Sequence, residues 1–369
     1  MKNGFVRQSI SLSARLVASG VLLAACSSHP AAIAPPEAAT SAPAQSAHWP
    51  TDGWRTSTPE EQGMDSQLLT QMANRVREDG PDLHSLRVVR NGYIVSETHF
   101  SGFEQYQRIG IFSCAKSVVS TLVGIAMDRE EIDRLDRPFL DFFPDRTIGN
   151  PDPRKEDMKL EDVLAMRTGM DWQEGDAFYQ ELGRSKDWVQ YMLDRPMTSP
   201  PGTAFNYCSG CLHLLSAALQ EATGMTARAF ADQYLFEPLG IGDASWDADP
   251  QGISIGGWSL QLTPRDMAKL GYLYLRNGEW DGRQIVSAQW VRTATQKHAD
   301  MNPPGSIAYG YQWWLYPQRV YAALGLYGQM IFAVPESDLI VVMTAAINGH
   351  DEEFRLIDTY IYPAIWNPR

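Results

Sequence analysis

The sequence predicts an α+β fold: an antiparallel sheet drawn from segments near both ends of the chain, flanked by helices, with a mainly helical region inserted at about residues 130–285. Three observations predict it. A hairpin pattern starts at Ser85, a second pair of strand-like runs starts at Met330, and helical spacing dominates most of what lies between.

Ser85 to Arg90 and Tyr93 to Phe100 are strand-like runs joined at Asn91-Gly92, a dipeptide that accepts the left-handed backbone of a tight hairpin turn. Met330 to Val334 and Leu339 to Ala345 are rich in β-branched and apolar residues and are joined through Pro335-Glu336-Ser337-Asp338. Glu352 to Trp366 carries apolar residues at helical spacing, at Phe354, Ile357, Ile361 and Ile365. Between these ends, Leu160 to Met166, Leu212 to Ala222, Ala227 to Leu235 and Asp266 to Leu275 read as helices separated by Pro and Gly. No fixed-period repeat is present.

The length of 369 residues fits one large or two interlocked domains. With 44% hydrophobic and 20% charged residues the chain can bury an ordinary core. A formal net charge of -13 with no Lys/Arg run repels phosphate backbones, so nucleic acid is not an expected partner. Oligomeric state is not encoded in any feature of this kind.

The first residues carry Lys2, Arg7 and Arg15 ahead of an uncharged run from Leu16 to Ala25. A basic start and an apolar stretch of ~10 residues describe an export signal, too short to span a bilayer as a helix. Leu23-Ala24-Ala25-Cys26 resembles the bacterial lipoprotein box, which implies lipidation at Cys26 and a membrane-anchored mature chain; Ser27 is compatible with the periplasmic face of the outer membrane. Residues 27–50 are nearly all Ala, Pro and Ser and read as a tether. The expected organisation is a signal peptide at 1–26, a linker at 27–50 and a single enzyme domain at 51–369.

The segment most suggestive of chemistry runs from Ile109 to Met127. After Lys116 it has no charge and is apolar or small on every face, which marks a buried helix. Lys116 sits in the first turn, where the helix dipole disfavours a cation, so it must be neutralised, paired or snorkelling. Ser113 lies three residues earlier on the same face. Burial lowers a lysine's proton affinity toward neutrality, and such an amine can take a serine proton. The unpaired first N–H groups of the helix can face a developing oxyanion. A capping serine followed by a snorkelling lysine is the bland alternative.

Two further segments join this one. Tyr207-Cys208-Ser209 follows a Pro200-Pro201-Gly202 turn and resembles the Tyr-x-Asn element of class C β-lactamases and D,D-peptidases, the penicillin-recognising serine hydrolases. Leu324-Gly325-Leu326-Tyr327-Gly328-Gln329 looks like the family's Lys/His-Thr/Gly-Gly strand, and Gly256-Gly257-Trp258 with Thr263 to Ala268 resembles its run before a long helix. The resemblance extends from about Trp54 to Ile347 and is nearest the branch containing 6-aminohexanoate-dimer hydrolase and related esterases. It implies a β-lactamase/transpeptidase-like fold, Ser113 as nucleophile, and Lys116 and Tyr207 as acid/base partners, either of which can be the base. It also implies a second oxyanion N–H from Gln329, with Ser209, Gly328 and Tyr327 lining the substrate. Ser209 replaces the family's Asn and Leu326 its Lys or His, which weakens the case for β-lactam recognition. The expected activity is hydrolysis of a small carboxylic ester or linear amide, the alternatives being a β-lactamase, a D,D-peptidase or a silent peptidoglycan-binding lipoprotein.

Gly252-Ile253-Ser254-Ile255-Gly256 matches a nucleophile elbow, with Asp338 and His350 downstream, but lacks the preceding strand and following helix that such an elbow needs. The seven His residues show no metal-ligand spacing, and no motif asks for a cofactor. Apart from Cys26, the chain has Cys114, Cys208 and Cys211, enough for one bridge and one free thiol; Cys208-x-x-Cys211 lacks the strand of a redox motif. If Ser113 and Tyr207 meet, a bridge from Cys114 to Cys208 or Cys211 is expected to be within reach. Trp172, Trp258, Trp313, Trp314 and Tyr327 are candidates to line an aromatic cleft.

Overall fold

The computed structural model describes residues 49–365, apart from 101, 105 and 302–306. The expected signal peptide, Cys26 and nearly all of the linker lie outside the described residues.

An eight-stranded antiparallel sheet forms the centre. Its strands are β1 (Leu83–Arg90), β2 (Tyr93–His99), β3 (Ala299–Asp300), β4 (Ala308–Tyr309), β5 (Trp314–Leu315), β6 (Tyr321–Gly325), β7 (Gln329–Val334) and β8 (Leu339–Ala345), in the spatial order β2-β1-β8-β7-β6-β5-β4-β3. The β1–β2 turn places Asn91 at φ 51° and Gly92 at φ 82°, the left-handed geometry these residues accept. β8 sits between β1 and β7 and is buried along its whole length, which accounts for its unbroken apolar run Leu339-Ile340-Val341-Val342-Met343.

Alternate residues divide the sheet into two faces. Leu86, Val88, Phe332 and Val341 pack beneath α1 (Ser66–Asp79) and the C-terminal helical segment that starts at Asp351. Val89, Ile331, Ile340 and Val342 face the larger core of α2 (Cys114–Asp128), α3 (Leu160–Leu164), α4 (Trp188–Leu193), α5 (Ser209–Thr223) and α6 (Pro264–Leu275). The result is the expected α+β arrangement of sheet and flanking helices, with helices filling the middle of the chain.

Three details differ from the sequence reading. Strand β6 and the strands β3, β4 and β5 extend the sheet beyond the expected runs, and the last three, at two residues each, are too short to show alternation. Helix α1 was not anticipated, although Asp65 caps it by accepting from the Gln67 and Leu68 amides. The last middle helix, Ala288–Ala294, lies beyond residue 285.

Within the larger core, α5 packs against α2, α3 and α4, so the helix that opens after Tyr207 lies directly on the one that opens after Ser113. The far side of α2 meets β6 and β7. The N-terminal end of α2 is thereby enclosed between the sheet and the inserted helices.

Candidate active site

Ser113 occupies the N-cap position of α2, yet its side chain makes no capping bond. Its hydroxyl is therefore available to other partners. Phe112, just before it, has φ 47°, a left-handed conformation that costs a bulky residue about 1–3 kcal/mol and concentrates at functional sites. Neighbouring backbone bonds hold it there: the Ile111 N–H donates to the Leu260 carbonyl at 2.9 Å and the Ala115 N–H to the Phe112 carbonyl at 3.0 Å.

Lys116 is buried one turn along. Its Nζ donates to Ser113 Oγ at 2.6 Å and to the Gly257 carbonyl at 2.7 Å. Burial pushes the ammonium down from the usual lysine range to about 8, with the Glu174 carboxylate pulling the other way. The Gly257 carbonyl arrives because Gly256 and Gly257 press onto α5, where an added Cβ would lie 2.0 Å from the Leu212 carbonyl oxygen and 2.7 Å from that of Ser209.

Tyr207 enters from the other side. Lys116 Nζ lies 4.8 Å from its ring centroid. The ring packs against Trp314 at 5.8 Å and Tyr309 at 6.3 Å. Burial pushes the phenol well above its ordinary range, although the neighbouring Ser113 side chain acts in the opposite sense. Ser113, Lys116 and Tyr207 thus converge.

Ser209 is buried at the first turn of α5, and its backbone N–H and hydroxyl donate to the two oxygens of Glu174 at 2.7 and 3.1 Å. Glu174 also accepts from Trp172 Nε1 at 2.6 Å and from the Tyr179 hydroxyl. The sequence reading missed Glu174. A lone acid in a polar loop gives no signal of its own.

The third segment forms the β6–β7 hairpin. A Cβ on Gly325 would sit 2.4 Å from the Ile111 carbonyl oxygen and 3.3 Å from the Ser113 nitrogen, so the end of β6 lies directly against the nucleophile's backbone. Gln329 pairs with Gly325 across the ladder, and its buried side-chain amide donates to the carbonyls of Tyr327 at 3.1 Å and Ala345 at 2.8 Å. Tyr327 and Gly328 take φ 62° and 81° to close the turn. Leu326 and Tyr327 are 56% and 45% exposed, which makes an apolar lip, and Tyr327 packs edge-on against Phe112.

Two expectations are corrected. The disulfide joins Cys208 to Cys211, and Cys114 remains a buried thiol. Cys114 points away from Ser113 toward the sheet, where its Sγ donates to the Gln329 carbonyl at 3.4 Å. Of the five candidate cleft aromatics, Trp172 and Trp313 are core residues at 2% and 1% exposure. Trp313 packs on Tyr274 and Tyr321, whereas Trp258 and Trp314 are half-buried. Ser254 is also buried, accepting from the Arg228 N–H at 3.0 Å, while Asp338 pairs with Arg276 and His350 with Glu353. Those three residues form no triad. Cys26 lies outside the described residues.

A sheet backed by helices, with a serine and a desolvated lysine on one helical turn, defines a class: serine hydrolases of the penicillin-recognising fold. The chain belongs to the Beta-lactamase family, whose model matches residues 84–364. A 6-aminohexanoate-dimer hydrolase of Paenarthrobacter ureafaciens is 24% identical to it over 297 residues, 74% of each chain. Among solved structures, one from Bacillus anthracis assigned to 6-aminohexanoate-dimer hydrolase superposes with a TM-score of 0.68 at 22% identity, covering 81% of each chain. A family VIII carboxylesterase superposes with a TM-score of 0.66 at 16% identity, covering 84% of this chain and 98% of the other.

Proposed function

We propose that the protein hydrolyses a carboxylic ester or a linear amide through a covalent acyl-Ser113 intermediate. The observation that carries this reading is the 2.6 Å contact between Lys116 Nζ and Ser113 Oγ in a site where burial favours the neutral amine. In the reacting state Lys116 is the free base and takes the Ser113 proton as Oγ attacks the carbonyl carbon. Tyr207, kept protonated by burial, gives its proton to the leaving oxygen or nitrogen and is reprotonated from Lys116. Water then attacks the acyl-enzyme by the same route in reverse, releasing the acid and restoring Ser113.

The oxyanion is assigned to the Ser113 N–H and to an N–H of the β6–β7 hairpin. The sequence pointed to Gln329 for the second. The close approach of Gly325 to Ser113 favours Leu326 instead, the first residue of the turn beyond the ladder pair Gly325–Gln329.

Substrate preference follows from the rim. The Leu326 side chain supplies no charge or hydrogen bond where a β-lactam carboxylate would need one, and Glu174 adds negative charge near Lys116. A neutral ester, or a linear amide with no carboxylate beside the scissile bond, avoids both penalties. We also propose that the protein is exported and lipid-anchored through Cys26. Turnover compared across p-nitrophenyl esters, linear amides, D-Ala-D-Ala peptides and nitrocefin tests the substrate reading; nitrocefin as the best substrate would contradict it.

A further inference from the structure

Tyr207 lies near the end of an irregular segment between Leu193, where α4 stops, and Ser209, where α5 begins. No ladder or helical turn holds its backbone, so its position depends on its neighbours. On the N-terminal side the anchors are good: the Asn206 N–H donates to the Met166 carbonyl at 2.8 Å, and Asn206 Nδ2 donates to the Trp172 carbonyl at 3.0 Å. On the C-terminal side the strong hydrogen bond is one residue further out, from the Ser209 N–H to Glu174 at 2.7 Å, and Cys208 itself is weakly held. The Cys208 N–H reaches the Met166 thioether at 3.2 Å, and sulfur is a weak acceptor. Cys208 is also the N-cap of α5, where a sulfur takes the place of the usual oxygen and accepts from the Cys211 N–H at 3.0 Å.

What is strong at Cys208 itself is covalent. Cys208 is bridged to Cys211, and both are fully buried. Cys211 belongs to α5, which packs on α2, the helix of Ser113 and Lys116. We infer that the Cys208–Cys211 disulfide is a positioning element for Tyr207, fixing the residue next to it against the helix that carries the nucleophile. The inference rests on the proposed role of Tyr207 in proton transfer.

Loop size supports this over a purely stabilising role. The bridge closes a loop of four residues, and cross-linking removes least entropy from the unfolded chain when the loop is short. Proton transfer is more sensitive than global stability to a small shift of Tyr207, since displacements of about 1 Å cost up to about a hundredfold in rate.

The test is Cys208→Ser/Cys211→Ser in the full-length enzyme, because serine at 208 still offers an N-cap oxygen. The expected result is kcat on a p-nitrophenyl ester lower by about 10- to 100-fold, KM within about twofold of wild type, and an unchanged near-UV circular dichroism spectrum. If the variant does not fold, graded phosphine reduction of the native enzyme replaces it, with the fraction bridged read by mass and kcat expected to fall in proportion. An unchanged kcat in unbridged protein, or three free thiols in the unreduced mature chain, overturns the inference. Tyr207→Phe separates the levels: if it costs nothing, the role of Tyr207 fails and the inference with it. If it is costly while the double serine variant keeps its kcat, the inference alone fails.

Discussion

Lys116 Nζ lies 2.6 Å from Ser113 Oγ and 4.8 Å from the ring centroid of Tyr207, so one buried amine touches both other members of the proposed proton path. Removing that amine should be more damaging than changing the rim. Lys116→Met is expected to lower kcat by about three decades or more, within the range seen when an activating base is lost, while circular dichroism stays native. A loss of less than tenfold would assign the base elsewhere.

The direction of the Lys116 shift sets the pH profile. The free amine is the active form, and its ammonium titrates at about 8, so kcat/KM should rise as pH increases through 8 and then level off. Because the Tyr207 phenol is pushed up, the plateau should continue past the point at which an ordinary phenol, near 10, ionises. A rate that peaks below pH 7 contradicts Lys116 as the base.

Glu174 stabilises the Lys116 ammonium through space. Glu174→Gln removes the charge while keeping an acceptor for Ser209. Lys116 then loses its proton at lower pH, and the rising limb of the profile should move toward acid. A limb that stays in place, or moves alkaline, would show that Glu174 does not act on Lys116 electrostatically.

Gly325→Ala would set a methyl group 2.4 Å from the Ile111 carbonyl oxygen, closer than real contacts allow. Backbone must move, and what moves is the Ser113 amide or the hairpin beside it. A loss of about a hundredfold in kcat/KM is expected with the fold retained, measured on a p-nitrophenyl ester.

Leu326→Lys restores a cation at the β6–β7 lip. A charge-assisted contact contributes ~1.5–3 kcal/mol, roughly one to two decades in affinity. Nitrocefin kcat/KM should rise by about tenfold or more with ester turnover little changed. No gain would mean that something other than Leu326 excludes β-lactams.

Much of this was legible because it is local. Ser113 and Lys116 are three residues apart on a helix whose unbroken apolar character announces its burial, and Asn91-Gly92 dictates its own turn. The run from Leu339 to Ala345 reads as a central strand for the same reason. What stayed hidden depends on long-range contact. Glu174 matters only because the fold brings it under Ser209, and Gln329 turned out to brace its own turn with its side chain. The cysteine pairing was misjudged because adjacency to Ser113 suggested proximity to Tyr207's neighbour, whereas consecutive helical residues point to different sides and Cys114 faces β7. Trp172 and Trp313 carry the same composition signal as half-buried Trp258 and Trp314, and only packing separates core from cleft.

The most direct test of the central claim is peptide-level mass spectrometry after treatment with a fluorophosphonate, which labels activated serines. A single adduct on Ser113 is expected, lost in Ser113→Ala and kept in Ser254→Ala, with ester turnover following the same pattern. Labelling at Ser254, or full ester turnover in Ser113→Ala, would contradict it.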